Sequence, residues 1–125
     1  MDTQAEADAL DRFGEFLVKQ VRDEAIWEWT EMLAGRMKGD IAERLRPKLS
    51  RLDPSTLALI GHLVPQIIDT TLHYLLWTLE QDEAIDIAVT TKTGRVPSLR
   101  EVSDGLAGEL FDWIPRFSDQ GNEES

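Results

Sequence analysis

The residues best placed to do chemistry are His62, Gln66, Asp69 and His73, with Glu80 further along. At 100° per residue on a helix they recur along one narrow polar stripe. Almost everything else on that segment is apolar. Asp69 and His73 stand four positions apart, close enough to hydrogen-bond or to share a metal ion. They are the candidate metal ligands, or alternatively an acid–base pair lining a cleft. Catalytic zinc generally takes three protein ligands, however, and His62 lies about 16 Å along the axis from His73. One straight helix cannot bring both histidines to one metal. The competing reading leaves the stripe facing solvent, with Asp69 and His73 as a local pair.

Carboxylates are the second resource. Glu24, Glu28 and Glu31 share a face of an N-terminal helix, and Glu83 with Asp86 forms a later acidic pair. Glu28-x-x-Glu31 and Glu83-x-x-Asp86 resemble the magnesium-holding segments of all-α nucleotide pyrophosphatases. The alternative function is accordingly a metal-dependent helical hydrolase using Asp69 and His73 with carboxylates from the first helix. The pattern departs in two ways: its gap is long, and Glu83 and Asp86 fall where helix gives way to extended chain. With 24 acidic residues in 125, such spacings also arise by chance. The Glu-x-x-His of di-iron bundles, the Gly-x-Ser-x-Gly elbow and a Gly-rich loop followed by Lys do not occur. Without cysteine there is no thiolate nucleophile, thiolate ligand or disulfide, which is the habit of a reducing compartment. No catalytic residue and no cofactor is assigned.

Trp27 and Trp29 point about 200° apart on a helix and cannot both face one core. One of them is expected at the surface, or beneath the C-terminal LFDWIPRF segment, which carries Trp113. The favoured expectation folds that segment over Trp27. Exposed aromatics anchor protein interfaces, so Trp27, Trp29 and Trp113 with Glu24, Glu28 and Glu31 are the candidate interaction residues.

The elements that must position these residues are mainly helical. Leu10, Phe13, Leu17, Val21, Ala25, Trp29 and Met32/Leu33 form an amphipathic stripe over a first helix reaching Leu33 or Ala34. Gly35 and Gly39 then supply a cap and turn. A shorter helix is expected over 40–52, kinked or split by Pro47. Asp53-Pro54 marks the start of a long helix to about Glu83, with Asp53 as cap and Pro54 at its first position. That helix is expected at the buried centre, bent at Pro65. Ile85 to Thr91 is β-branched, and Lys92 to Arg95 makes a turn toward Val96, giving a small hairpin. A helical turn at Ser98 is followed by Gly105 and Gly108, expected to break regular structure before the aromatic clamp.

The fold class is therefore mainly α. It is a bundle or hairpin of two long helices plus a shorter one, with a small C-terminal β-hairpin. Residues 1–125 form one domain, with tails over 1–8 and 118–125. The net charge of −11 disfavours nucleic acid and favours a basic partner. Six basic residues between Arg36 and Arg51 form a local exception, expected to be a solvated face. The acidic N-terminus lacks a secretory pattern, and the apolar stretch 57–79 is interrupted by polar groups. The chain is expected in the cytoplasm, off the membrane. Surplus apolar surface on long helices makes a homodimer an expectation as well.

Three segments, Phe13 to Ile26 (FGEFLVKQVRDEAI), Leu52 to Leu57 (LDPSTL) and Ser103 to Ser118 (SDGLAGELFDWIPRFS), resemble a group of small bacterial helical proteins. The resemblance transfers no active residues; physically, Gly105 and Gly108 permit tight turns while Leu106, Phe111, Trp113, Ile114 and Phe117 are expected to clamp the helices. The function expected is a non-enzymatic protein-binding module of the inhibitor, adaptor or immunity type. The metal-dependent hydrolase is the alternative.

Overall fold

The computed structural model describes residues 3–120. Its first helix is one rod over 3–33. It is α-helical over Thr3–Phe16, π-helical over Leu17–Arg22 and α-helical again over Asp23–Leu33. A π turn admits extra residues, so the inward face changes where it occurs. Leu10, Phe13 and Leu17 lead into the core as expected, but the next inward residues are Val18, Arg22 and Ile26. Val21 is turned outward instead. The helix also starts earlier than expected. Residues 3–8 are helical with Ala5 buried, which corrects the expected tail; residues 1–2 lie outside those described.

Gly35 (φ 78°) and Gly39 (φ 114°) take left-handed backbone conformations at the turn that follows, as their type predicted. The short helix, Asp40–Leu49, runs through Pro47 and stops before Leu52. Ala42 is its buried residue while Ile41 is exposed, so it lies shallowly on the surface.

The long helix spans Pro54–Gln81. Asp53 caps it by accepting a 2.8 Å hydrogen bond from the Thr56 amide. Its far end is held by Arg100, whose Nη1 donates to the carbonyls of Leu79 (3.1 Å) and Asp82 (2.8 Å). The expectation that this helix forms the buried axis is corrected. Only Leu72 and Leu76 are buried, while Leu59, Leu63, Ile67, Tyr74, Leu75 and Trp77 are exposed. A helix this apolar all round would be buried on every side in a larger protein. The described residues cover only one side of it.

Val89–Thr91 and Gly94–Val96 pair antiparallel, with Val89 opposite Val96. The hairpin packs on the start of the first helix: Thr93 Oγ1 donates to Asp8 at 2.6 Å, and the side chain of Val96 is fully buried. A 3-10 turn at Leu99–Glu101 leads into the last helix, Leu106–Phe117. The aromatic clamp is thus helical, and Gly108, expected to break regular structure, lies within the helix. Five of its residues (Leu106, Ala107, Leu110, Trp113, Ile114) are buried, giving a strongly amphipathic helix.

The core joins Ala5, Ala9, Leu17 and Val18 to Leu72, Leu76, Val96, Leu99 and the buried face of the last helix. Trp113 is its largest member, 1% exposed, with its ring edge-on to Phe13 at 5.8 Å. Gly14 lies directly beneath the indole. A Cβ at that position would sit 2.5 Å from the ring. The core thus lies toward one end of the rods, where both strands, the last helix and the first half of the first helix converge.

Candidate functional site

The predicted polar stripe divides into separate structural contacts. Asp69 faces the π segment of the first helix, where Arg22 is 1% exposed. Arg22 Nε donates to Asp69 Oδ1 at 2.7 Å and Nη2 to Oδ2 at 3.3 Å, a two-point guanidinium–carboxylate fork. Its Nη1 donates to Asp23 Oδ1 (3.1 Å) and to Ser118 Oγ (3.0 Å). Ser118 Oγ in turn donates to Asp23 Oδ1 at 2.8 Å, and the Asp119 amide donates to Asp23 Oδ2 at 2.6 Å. Residues 118–120 are therefore tied to the first helix, which corrects the expected tail; 121–125 lie outside the described residues.

A buried guanidinium against two carboxylates satisfies the requirement that buried charge be paired and hydrogen-bonded. The π turn makes this possible. By rotating the inward face it carries Arg22 under the long helix and leaves Asp23 beside Ser118 and Asp119. Neither Arg22 nor Asp23 was singled out from the sequence. Read as a regular α-helix, the sequence places both beside the apolar stripe rather than on it, and only the π turn brings Arg22 inward.

Glu80, at the far end of the stripe, points to the start of the last helix. Its carboxylate accepts from the Leu106 amide at 2.8 Å and the Ala107 amide at 3.5 Å. Gly105 has no side chain to cap that helix, and Glu80 supplies the missing anion from another element. His62 and Gln66 face solvent. The ring of His73 stands 6.0 Å from Phe111 and 5.2 Å from Tyr74, and its buried Nδ1 has no hydrogen-bond partner among the described residues.

Both Asp69 oxygens accept from Arg22. Among the described residues, no group of three or more His, Asp or Glu side chains is placed to hold a metal ion. An indentation lined by Leu79, Ile85, Ile87, Arg100 and Leu106 holds about 10 Å³, room for one water-sized sphere.

The interaction candidates separate differently. Trp113 is a core residue, not a surface anchor. Trp27 and Trp29 are both exposed, at 49% and 36%, because the last helix packs over Gly14 and Phe13 and leaves Trp27 open. Glu24 and Glu28 are exposed on the same outward face as Trp27. Glu31 is half-buried and accepts two 2.8 Å bonds from Arg36, which hold its carboxyl below the usual range. Trp27 is thus an exposed indole among carboxylates. Trp29 lies at the opposite margin of the helix.

Compared with protein-family models, curated proteins and solved structures, the chain matches none. Among the described residues, no helix is long and apolar enough to cross a membrane.

Proposed function

We propose that the protein is a non-enzymatic binding module that engages a basic protein partner through the outward face of the first helix. The observation that carries this reading is Trp27, half exposed on a rigid helix and flanked by Glu24 and Glu28. An indole offers large contact area at low entropic cost, and its face attracts guanidinium or ammonium groups. The neighbouring carboxylates add salt-bridge partners, and the net charge of −11 steers cationic surfaces toward the molecule. An inhibitor, adaptor or immunity-type role uses such a face without chemistry of its own.

The test is quantitative capture. Immobilised wild-type protein and its Trp27→Ala and Glu24→Gln/Glu28→Gln variants are exposed to native extract, and retained proteins are identified and titrated. The expected result is a basic protein whose affinity falls at least about tenfold, or ~1.4 kcal/mol, on loss of Trp27. Equal retention by wild type and both variants would refute this face as the binding site.

A further inference from the structure

We infer that the protein assembles with a second copy of itself, the two long helices packing antiparallel along their exposed apolar faces. This goes beyond the proposed binding face, because it uses the long helix and leaves the Trp27 surface out of account.

The long helix has two apolar sides. Leu72 and Leu76 point into the core. On the opposite side, Leu59, Leu63, Ile67, Tyr74 and Trp77 are each between 45% and 61% exposed, over a length of about 27 Å. Phe111, 63% exposed beside His73, extends the patch onto the last helix. The open area of these side chains is on the order of 700 Å² per chain, near the ~800 Å² that each partner of a specific interface contributes. Such a patch exceeds the few hundred Å² usual on a monomer.

The spacing of these residues describes what covers them. Ile60, Leu63, Ile67, Thr70, Tyr74, Trp77 and Gln81 follow each other at alternating steps of three and four, the a/d pattern of a coiled coil. The seam carries no formal charge, so two copies meet along it without like-charge contact despite the overall negative charge. In an antiparallel pair one register matches the seam from Ile60 to Trp77. Ile60 then lies opposite Trp77, Leu63 opposite Tyr74, and Ile67 opposite the smaller Thr70.

The ends select the direction. Residues 36–51 hold six basic and two acidic side chains, a local +4, just before the helix. Residues 80–86 hold Glu80, Asp82, Glu83 and Asp86 at its far end, and with the docked Arg100, which pairs with Asp86, that end still carries a local −3. Antiparallel packing sets the basic approach of one copy beside the acidic exit of the other, and it opposes the helix dipoles favourably. Parallel packing would stack like charge on like charge at both ends.

The test uses the full chain, whose lack of native cysteine makes single-cysteine variants clean reporters. Sedimentation equilibrium at micromolar concentration is expected to give twice the 14.2 kDa chain mass. Ile67→Lys is expected to return the single-chain mass with helical circular dichroism retained. Leu63→Cys mixed with Tyr74→Cys is expected to form the mixed disulfide. Leu63→Cys alone is not, since its two copies stand about 16 Å apart along the seam. A single-chain mass for the wild type overturns the assembly and leaves the face to another partner. A Leu63→Cys homodimer overturns the antiparallel order, and an Ile67→Lys variant that stays double-mass overturns the surface. None of these readouts depends on Trp27, so the proposed binding face stands or falls separately.

Discussion

At position 14 two effects of opposite sign compete. Alanine is favoured over glycine in a helix interior by about 1 kcal/mol. Here, however, the added methyl would lie 2.5 Å from the buried Trp113 indole, so the ring or the helix must move. Overpacking of this kind costs roughly 1–3 kcal/mol, and it has no flexible side-chain end to absorb it. Gly14→Ala is expected to lower stability to chemical denaturation by up to about 2 kcal/mol, the overpacking cost less the helix gain, and Gly14→Ala/Trp113→Phe to recover part of that loss. A gain in stability for Gly14→Ala alone would show that the helix preference wins. Arg22 poses a different question, because removing it strands the buried Asp23 and the half-buried Asp69. Arg22→Ala is expected to cost about 3–5 kcal/mol in equilibrium unfolding. Arg22→Lys should recover only part of this, since a single ammonium cannot reproduce the forked contact. Neither residue was legible in the sequence. Gly14 looks like any helical glycine until the position of Trp113 is known, and Arg22 turns inward only because of the π turn.

At the scale of elements, the legible features were those set by local chemistry. Asp53-Pro54 opens a helix because the cap and the fixed proline φ act within four residues. Gly35 and Gly39 end one because only glycine takes their backbone angles without strain. The hairpin followed from its β-branched run and turn. The last helix was hidden because its N-terminus is capped by Glu80, 26 positions earlier in the chain, and no local signal announces that. The cap at Asp53 yields a pH prediction. Hydrogen bonds from the Thr56 amide, the Thr56 hydroxyl and the Ser55 hydroxyl hold this carboxyl below its ordinary value of 3.8. A folded-state pKa lower than the unfolded one adds stability above the unfolded value, and that stability disappears as pH falls through the folded value. The stability difference between wild type and Asp53→Ala should therefore be constant from pH 7 to about 5 and shrink below about pH 4. Paired thermal melts across that range measure it, and a difference that persists to pH 2 would show that the cap does not depend on the charge.

For the whole molecule, periodicity identified the apolar side chains of the long helix but could not say which of them this chain covers. Leu63 and Leu76 are equally apolar in the sequence; one is open to solvent and the other fully buried. The difference depends on where the last helix and the first helix dock, which is long-range information. The same long-range information separates the polar stripe: Asp69 meets Arg22 and Glu80 caps the last helix, while His62 and Gln66 face solvent. Charge, by contrast, was legible throughout, and it gives the molecule opposite responses to salt in two measurements. The net −11 creates self-repulsion that is long-ranged at ~0.01 M salt, where the screening length is about 30 Å, and mostly local by 0.15 M. Raising sodium chloride over that range is expected to raise the thermal midpoint, because the screened repulsion outweighs exposed pairs such as Arg116–Asp11 and Arg36–Glu31, each worth little in water. The buried Arg22 fork is hardly screened and does not oppose the trend. Binding of a basic partner at Trp27, Glu24 and Glu28 should weaken over the same range, since there the charges attract. A midpoint that falls with salt would mean that surface ion pairs, rather than net charge, govern the folded state. Binding that is indifferent to salt would place the partner on an apolar face instead.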